Sequence, residues 1–187
     1  MNSIVAIPYY EVDPGKRDVL KKCLHSFRGY NTIVLAGKQK TLSTAWNMCL
    51  DLGFGMGYDY VILSNDDVIL SRGDLEKLCV PGKVVSPTVN RGVFKVFHAH
   101  IFCIPKEVYE EVGKFDESFQ IYWADTDYAV RLKKAGIPVE IEYGVDVTHP
   151  EAARTLNAMP KKMEQEDKET FYKKHGTLWT DPIREIL

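Results

Sequence analysis

The segment from Tyr60 to Val68 is an apolar run that ends in an amide and two carboxylates, Asn65, Asp66 and Asp67. An apolar run of this length is typical of a buried strand. In open α/β folds, groups at the end of such a strand emerge at the carboxyl edge of the sheet, where these folds bind ligands. Adjacent carboxylates repel each other unless a cation or hydrogen bonds offset the repulsion. The segment therefore indicates either a site for a divalent cation that carries a nucleoside diphosphate or an acidic turn whose side chains hydrogen-bond to their own backbone.

Composition indicates an ordinary globular domain. The chain has 187 residues, of which 45% are hydrophobic and 27% are charged, and this length is sufficient for one domain with a real core. The net charge of −2 argues against a protein held to nucleic acid mainly by phosphate contacts.

Targeting signals and cysteine chemistry both favour the cytoplasm. No apolar run approaches the roughly 20 residues that a membrane-spanning helix needs, and Met1 to Pro8 lacks the basic start and long apolar region of a secretory signal. The cysteines are widely spaced, without a Cys-x-x-Cys pair, at positions Cys23, Cys49, Cys79 and Cys103. We expect them to be reduced core residues rather than disulfides or metal ligands.

The first third of the chain alternates between strand and helix patterns. It predicts a strand at Ile4–Ile7, a helix opened by Asp13 and Pro14, a strand at Thr32–Ala36, a helix capped by Thr41 or Ser43, and a strand that ends at Asp67. Such alternation is typical of a parallel sheet with helical crossovers. The polar ends of the strands should then meet at one edge of the sheet.

The remaining pattern is less regular but extends the same domain to its end. It predicts a short helix at Asp74–Cys79 capped by Ser71, strands at Lys83–Ser86 and Phe94–Ile104, a helix from Pro105 to Gly113, a helix that starts at Asp125 or Thr126 and stops at Gly136, two short strands at Val139–Tyr143 and Val145–Val147, and a charged helix at Pro160–Lys174. Without a repeat or a linker, residues 1–187 are predicted to form a single domain.

A second acidic cluster lies within Tyr122–Tyr128, where Asp125 and Asp127 stand at a predicted helix start. The positive end of the helix dipole stabilises carboxylates there, so ordinary capping is one interpretation. The other is a sugar site, because the rings of Tyr122 and Trp123 can stack on apolar sugar faces while carboxylates accept hydroxyl hydrogen bonds.

Histidines supply further candidates. His149 follows a predicted strand and is either a metal ligand or simply a hydrogen-bonded residue. His98 and His100 would share one face of a strand, where they could bind a second metal, contact the substrate or serve the structure.

Four segments in order resemble glycosyltransferase family two: Gly113–Phe119, Tyr122–Asp127, Arg131–Gly136 and Val147–His149. The resemblance covers roughly Ile4 to Pro150. It implies an α/β fold of the GT-A type, an open, mostly parallel, twisted sheet flanked by helices. Residues 1–90 would be the nucleotide-sugar-binding half, 91–150 the acceptor and catalytic half, and 151–187 a C-terminal helical tail.

The resemblance also implies donor-side roles. Asn65, Asp66 and Asp67 fall where the family has its DXD motif. Asp67 would bind Mn²⁺ or Mg²⁺ with His149 as a further ligand, while Asp66 would help to hold the metal or the donor sugar. The remaining donor contacts would come from Pro8, Tyr9, Ala36, Asn47 and Asn65.

On the acceptor side, the resemblance implies that Asp125 is the general base that deprotonates the acceptor hydroxyl. Trp123, Asp127, His98 and His100 are further candidates for acceptor contacts. The expected activity is metal-dependent, inverting transfer of a sugar from a nucleoside-diphosphate donor to an acceptor that is a glycan, a lipid carrier, a protein or a modified nucleic acid.

Three departures from the family pattern leave alternatives open. The stretch after the second strand, Ala36–Lys40, has no acid where the family usually has an aspartate, Ala124 replaces a common glutamate, and Trp46 replaces a common arginine. The alternatives are a non-catalytic nucleotide- or carbohydrate-binding protein on the same scaffold, or a sugar-nucleotide nucleotidyltransferase. The latter needs a glycine-rich phosphate loop, whereas Pro8–Gly15 contains one glycine.

Overall fold

The computed structural model describes residues 1–11, 15–90, 99–149 and 161–176. The strands are β1 (Ser3–Tyr9), β2 (Thr32–Ala36), β3 (Tyr60–Ser64), β4 (Ile69–Arg72), β5 (Val84–Val89), β6 (Ile101–Pro105) and β7 (Val139–Thr148). The helices are α1 (Gly15–Ser26), α2 (Leu42–Gly55), α3 (Lys106–Val112), α4 (Ala124–Lys134) and α5 (Lys161–His175), with a short 3-10 helix at Leu75–Leu78.

Within these residues the strands form one sheet of seven strands in the order β2-β1-β3-β6-β5-β7-β4. β1 is parallel to β2 and β3, and β5 is parallel to β7. β6 runs antiparallel to both β3 and β5, and β4 runs antiparallel to β7. The mostly parallel α/β sheet flanked by helices that the sequence predicts is confirmed.

The sheet has a hydrophobic core on each face, and alternation along the strands creates both. On β1, Ile4 and Ala6 belong to one core while Val5 and Ile7 belong to the other, as the two-residue period of a strand requires. Because both faces are covered, β1 is a nearly continuous apolar run. Helix α5 docks on the first of these cores through the fully buried Phe171.

Local signals located several helices correctly. Thr41 caps α2 by accepting a hydrogen bond from the Thr44 amide at 3.0 Å, and α3 begins directly after Pro105. The predicted start of α1 at Asp13 and Pro14 lies outside the described residues. None of the helices within the described ranges is long and apolar enough to cross a bilayer.

Other boundaries differ from the sequence predictions. Strand β3 ends at Ser64 rather than Asp67. The 3-10 helix is capped by Asp74, whose carboxylate accepts from the Glu76 amide at 3.0 Å. The predicted cap, Ser71, lies instead in β4, a strand that the sequence does not predict, and its hydroxyl hydrogen-bonds to that of Thr148. The two short strands around Gly144 are one continuous strand, β7. Its pairing with β5 shifts register between Pro87 and Thr88, so the apparent break at Gly144 is an irregularity within the strand.

Gly73 and Gly57 both have positive φ angles, +91° and +89°, but differ in their surroundings. A Cβ atom on Gly73 would collide with the carbonyl oxygen of Gly144 and approach the Val145 Cα to 2.9 Å, whereas one on Gly57 would meet nothing within 4 Å. We expect Gly73→Ala to lower the free energy of unfolding by about 3–5 kcal/mol, from strain plus overpacking. The control Gly57→Ala should lose about 1–2 kcal/mol, from strain alone. Urea unfolding measures both, and equal losses would contradict the close approach of Gly73 to β7.

Candidate active site

A cavity of about 680 Å³ opens at the carboxyl edge of the sheet. The predicted site residues that line it are Pro8, Tyr9, Asn65, Asp66, Asp67, His100, Trp123, Asp125 and His149. Because β6 is antiparallel to β3, its first residues lie beside the end of β3, and the Asn65 amide donates to the His100 carbonyl at 2.8 Å. This pairing brings His100 to the same edge as Asp67 and His149.

Asp67 and His149 form the candidate metal centre. The Nε2 atom of His149 lies 3.1 Å from Oδ1 of Asp67, yet that buried oxygen accepts no well-formed hydrogen bond. A carboxylate and an imidazole are a donor set that suits Mn²⁺. The described ranges contain no group of three or more potential His, Cys, Asp or Glu ligands. The pair therefore fits a cation that takes its other ligands from phosphate oxygens and water.

The surroundings of His149 hold its position. Its ring stacks on that of His100, with centroids 4.0 Å apart and planes inclined by 19°. Asn90 clamps its backbone, accepting from the His149 amide at 3.1 Å and donating to its carbonyl at 3.0 Å. Asn90 was not a sequence candidate, and its left-handed φ of 53° could not be recognised from sequence.

Asp66 has a different partner from its neighbour Asp67. Its carboxylate forms an ion pair with Lys16 at 3.0 Å, and each side chain is only 11% exposed. Burial raises the pKa of Asp66, while the Lys16 ammonium acts to lower it. Lys16 cannot be recognised as a site residue from the sequence, because a lysine in the first turn of a helix is normally a solvated residue.

Trp123 and Asp125 face the cavity from the loop and first turn of α4. Trp123 precedes the helix in a left-handed conformation, with φ 65° and ψ −4°. Such a conformation strains a bulky residue and is concentrated at functional sites. Oδ1 of Asp125 accepts from the Thr126 amide at 2.8 Å.

Ala36 and Asn47 are predicted site residues that do not line the cavity. Ala36 is exposed at the end of β2, although the adjoining Leu35 and Gly37 line the cavity. Asn47 is buried and engaged, donating to the Phe115 carbonyl and accepting from the Phe115 amide at 3.0 and 2.8 Å. It thus ties α2 to the segment before α4 and has no group directed at the cavity. His98 lies outside the described residues.

Asp127 is fully buried and does not line the cavity. Its carboxylate contacts Arg131 at 2.9 Å, Lys174 at 2.7 Å and His175 at 2.8 Å. The expected acceptor contact is therefore not available to it, because these groups occupy both carboxylate oxygens. It joins α4 to α5 instead.

The loop after β2 contributes Gly37, Lys38, Gln39 and Lys40 to the cavity wall. These residues provide amines and an amide but no carboxylate. The acid that the sequence lacks after β2 is therefore also missing from this part of the cavity wall. Unpredicted lining residues also include Tyr10 and Met163.

No protein-family model matches the sequence, and no curated protein matches it. Solved structures do share its fold. A protein from STIV is 16% identical, with a TM-score of 0.59 over 80% of this chain and 85% of that one. A putative nucleotide-diphospho-sugar transferase from Desulfovibrio desulfuricans G20 is 12% identical, with a TM-score of 0.53 over 99% and 98%.

A glycosyltransferase involved in the glycosylation of the major capsid of PBCV-1 is 10% identical, with a TM-score of 0.54 over 88% of this chain and 100% of that one. These similarities show a GT-A-like fold, the fold of nucleotide-sugar transferases. They agree with the resemblance that the sequence motifs indicate.

The ion pair between Lys16 and Asp66 should make the stability of a Lys16 variant depend on pH. Lys16→Met removes the cation and leaves a buried carboxylate uncompensated, so we expect a loss of about 1–3 kcal/mol in unfolding free energy at pH 7. The variant should raise the pKa of Asp66 further. A carboxyl group whose pKa is higher in the folded than in the unfolded state destabilises the fold at a pH high enough to ionise it. The loss of unfolding free energy caused by Lys16→Met should therefore shrink as the pH falls through the raised pKa of Asp66 in the folded protein.

Urea unfolding in EDTA at a series of pH values from 7 downwards tests this expectation. Lys21→Met is the matched control, since Lys21 pairs with Asp18 on the same helix at 2.9 Å but both side chains are more than 70% exposed. The control should be neutral. A Lys16→Met loss that does not diminish at low pH would reject Asp66 as its cause.

Proposed function

We propose that the protein is a metal-dependent, inverting glycosyltransferase that moves a sugar from a nucleoside-diphosphate donor to an acceptor hydroxyl. The observation that supports this most is the common opening of Asp67, His149 and Asp125 onto one cavity. A metal ligand pair and a separate carboxylate on one cavity are the parts that such a displacement needs. The shared fold with nucleotide-sugar transferases supports the same class of substrate.

On the donor side, Asp67 and His149 would hold Mn²⁺ or Mg²⁺. The ion would stabilise the negative charge that develops on the leaving diphosphate. Pro8, Tyr9 and Asn65 line the part of the cavity formed by the ends of β1 and β3 and would contact the nucleoside. His100 would restrict the ring orientation of His149 by stacking, since it occupies one face of that ring.

Lys16 gives the two adjacent carboxylates separate tasks. Because its ammonium balances Asp66, Asp66 would be a support for the donor site, and Asp67 would be the carboxylate that holds the metal. With Asp66 balanced by Lys16, a bound cation would have to offset the charge of Asp67 alone rather than the charges of two unpaired carboxylates.

On the acceptor side, Asp125 would take the proton from the attacking hydroxyl. The hydroxyl oxygen forms a bond to the anomeric carbon as the bond from that carbon to the phosphate oxygen breaks, and the nucleoside diphosphate leaves. Attack from the opposite face inverts the anomeric configuration. Asp125 lies in the first turn of α4, and the position of its carboxylate relative to the attacking hydroxyl must contribute to catalysis as well. The Trp123 ring would pack on an apolar sugar face.

The direct assay is a panel of sugar nucleotides incubated with Mn²⁺, in which release of nucleoside diphosphate is measured. Hydrolysis by water reveals the donor before an acceptor is known. A non-catalytic binding protein would bind nucleotide but release no diphosphate. A nucleotidyltransferase would instead form pyrophosphate from a nucleoside triphosphate and a sugar phosphate.

Asp125→Asn should leave nucleotide affinity unchanged while turnover falls about 10²–10⁴-fold, because the amide cannot accept the proton. Donor titration with measurement of product separates the two quantities. Asp18→Asn, on the exposed surface of α1, is the control and should retain activity. Near-normal turnover of Asp125→Asn would remove Asp125 from the role of base.

Asp67→Asn should instead weaken Mn²⁺-dependent nucleotide binding by about tenfold or more, the scale of effect expected for groups that support a metal. Calorimetric titration with uridine, guanosine, cytidine and thymidine diphosphates, each with Mn²⁺ and with EDTA, measures the metal-dependent part. Affinity that is insensitive to both Mn²⁺ and the substitution would contradict the proposed metal centre.

A further inference from the structure

The carboxylate of Asp167, on helix α5, accepts hydrogen bonds from three consecutive backbone amides. Its Oδ1 atom accepts from Gln120 at 2.9 Å, and its Oδ2 atom accepts from Ile121 at 3.0 Å and Tyr122 at 2.9 Å. The residue is 1% exposed. From the sequence, this helix is predicted to be part of a charged tail beyond the region of family resemblance.

The three hydrogen bonds offset the cost of burying the Asp167 carboxylate. Removing a charge from water is costly unless hydrogen bonds replace the lost solvation, and bonds between an ionised acceptor and N–H donors are about twice as strong as neutral ones. The segment 120–122 is neither helix nor strand, so a regular backbone ladder does not satisfy its amides. Asp167 therefore provides the hydrogen-bond acceptors that the amides of the loop need, and these amides replace the water that the buried carboxylate has lost.

The loop is also held from its other side. The Gln120 carbonyl accepts from the Leu42 amide, at the start of α2, at 2.9 Å. The Gln120 side chain donates to Glu166, the neighbour of Asp167, at 2.9 Å. The loop is thus fixed between α2 and α5 before the chain reaches the cavity.

The loop leads directly into the proposed acceptor side of the active site. Gln120, Ile121 and Tyr122 line the cavity, followed by Trp123 and then Asp125. The Trp123 ring lies 5.1 Å from that of Phe171 on α5, and Met163 from the same helix also lines the cavity. Helix α5 is therefore part of the cavity wall as well as the support of the loop.

The end of α5 is fixed to α4 independently of Asp167. Lys174 and His175 contact the buried Asp127 at 2.7 and 2.8 Å, and Phe171 is fully buried. Loss of the Asp167 bonds should consequently loosen the loop without releasing the whole helix.

We propose that Asp167 is a positioning residue of the active site, which fixes the loop 120–122 and through it the places of Trp123 and Asp125. The catalytic part of this inference rests on the proposed glycosyltransferase function. Since Asp67 and His149 lie on the β-strand side of the cavity, the tether acts on transfer and not on metal-dependent nucleotide binding.

Asp167→Asn is the test, because the amide keeps the size of the side chain but one of its ends can no longer accept from N–H groups. Amide hydrogen exchange should rise in the loop 120–122, while β1 and β3 remain protected. Nucleoside-diphosphate affinity with Mn²⁺ should stay unchanged. Turnover of the sugar nucleotide found in the panel should fall about 10²-fold, the scale expected from a misplacement near 1 Å.

Glu169→Gln is the matched control. It makes the same carboxylate-to-amide change on the same helix, where Glu169 contacts only the Gln165 side chain among the described hydrogen bonds, at 3.0 Å. The control should leave exchange and turnover unchanged. If Asp167→Asn fails to fold, Asp167→Glu replaces it, since it keeps the charge and moves it by one methylene; it too should raise exchange in the loop and lower turnover.

Two results would overturn the inference: unaltered exchange in the loop, or a loosened loop with normal turnover. A fall in nucleotide affinity equal to the fall in turnover would indicate a general structural role and would also reject it. If the wild-type protein turns over no sugar nucleotide, the proposed function fails. In that case the exchange measurement still decides whether Asp167 holds the loop.

Discussion

The adjacent carboxylates at the end of β3 are the constraint on which the site depends. Two neighbouring negative charges at a sheet edge are unfavourable without compensation, and the fold gives the two carboxylates different partners. Asp66 pairs with Lys16 from α1, whereas Asp67 lies against His149 from the end of β7. Lys16 and His149 are far apart in the sequence, and the sheet brings both to the end of β3. The surroundings of both carboxylates therefore depend on the complete sheet.

The order of the strands explains how this convergence arises. β1 and β3 deliver their ends to one edge because they are parallel, and β7 reaches the same edge through its parallel pairing with β5. The antiparallel β6, inserted between β3 and β5, delivers its beginning instead, which places His100 against His149. The antiparallel direction of β6 thus adds the imidazole of His100 to the site.

Much of this could be predicted from the sequence, because apolar periodicity and strand ends are local signals. The sequence predicts a strand at Ile4–Ile7, a strand that ends at Asp67 and a helix from Asp125 or Thr126. The corresponding elements lie within a few residues of these positions, at Ser3–Tyr9, Tyr60–Ser64 and Ala124–Lys134. The failures concern side chains whose partners are distant in sequence. Asp127 has the same local pattern as Asp125, yet its burial against Lys174 and His175 depends on the docking of α5. Asn47 is directed away from the cavity by a partner 68 positions away, and the buried Lys16 pairs with Asp66, which comes much later in the sequence.

The strained conformation of Trp123 connects the proposed acceptor side of the cavity to the rest of the fold. A bulky residue with φ of 65° costs on the order of 1–3 kcal/mol and persists only where its surroundings over-determine it. The surroundings do so here: the Asp167 carboxylate holds the residues before it, the Asp127 amide donates to the Trp123 carbonyl at 2.8 Å, and Phe171 packs against its ring. Two of these three supports, Asp167 and Phe171, belong to α5. The strain at the cavity is therefore balanced by a helix that carries neither the proposed metal ligands nor the proposed base, and this explains why this charged helix has one carboxylate and one phenyl ring completely buried.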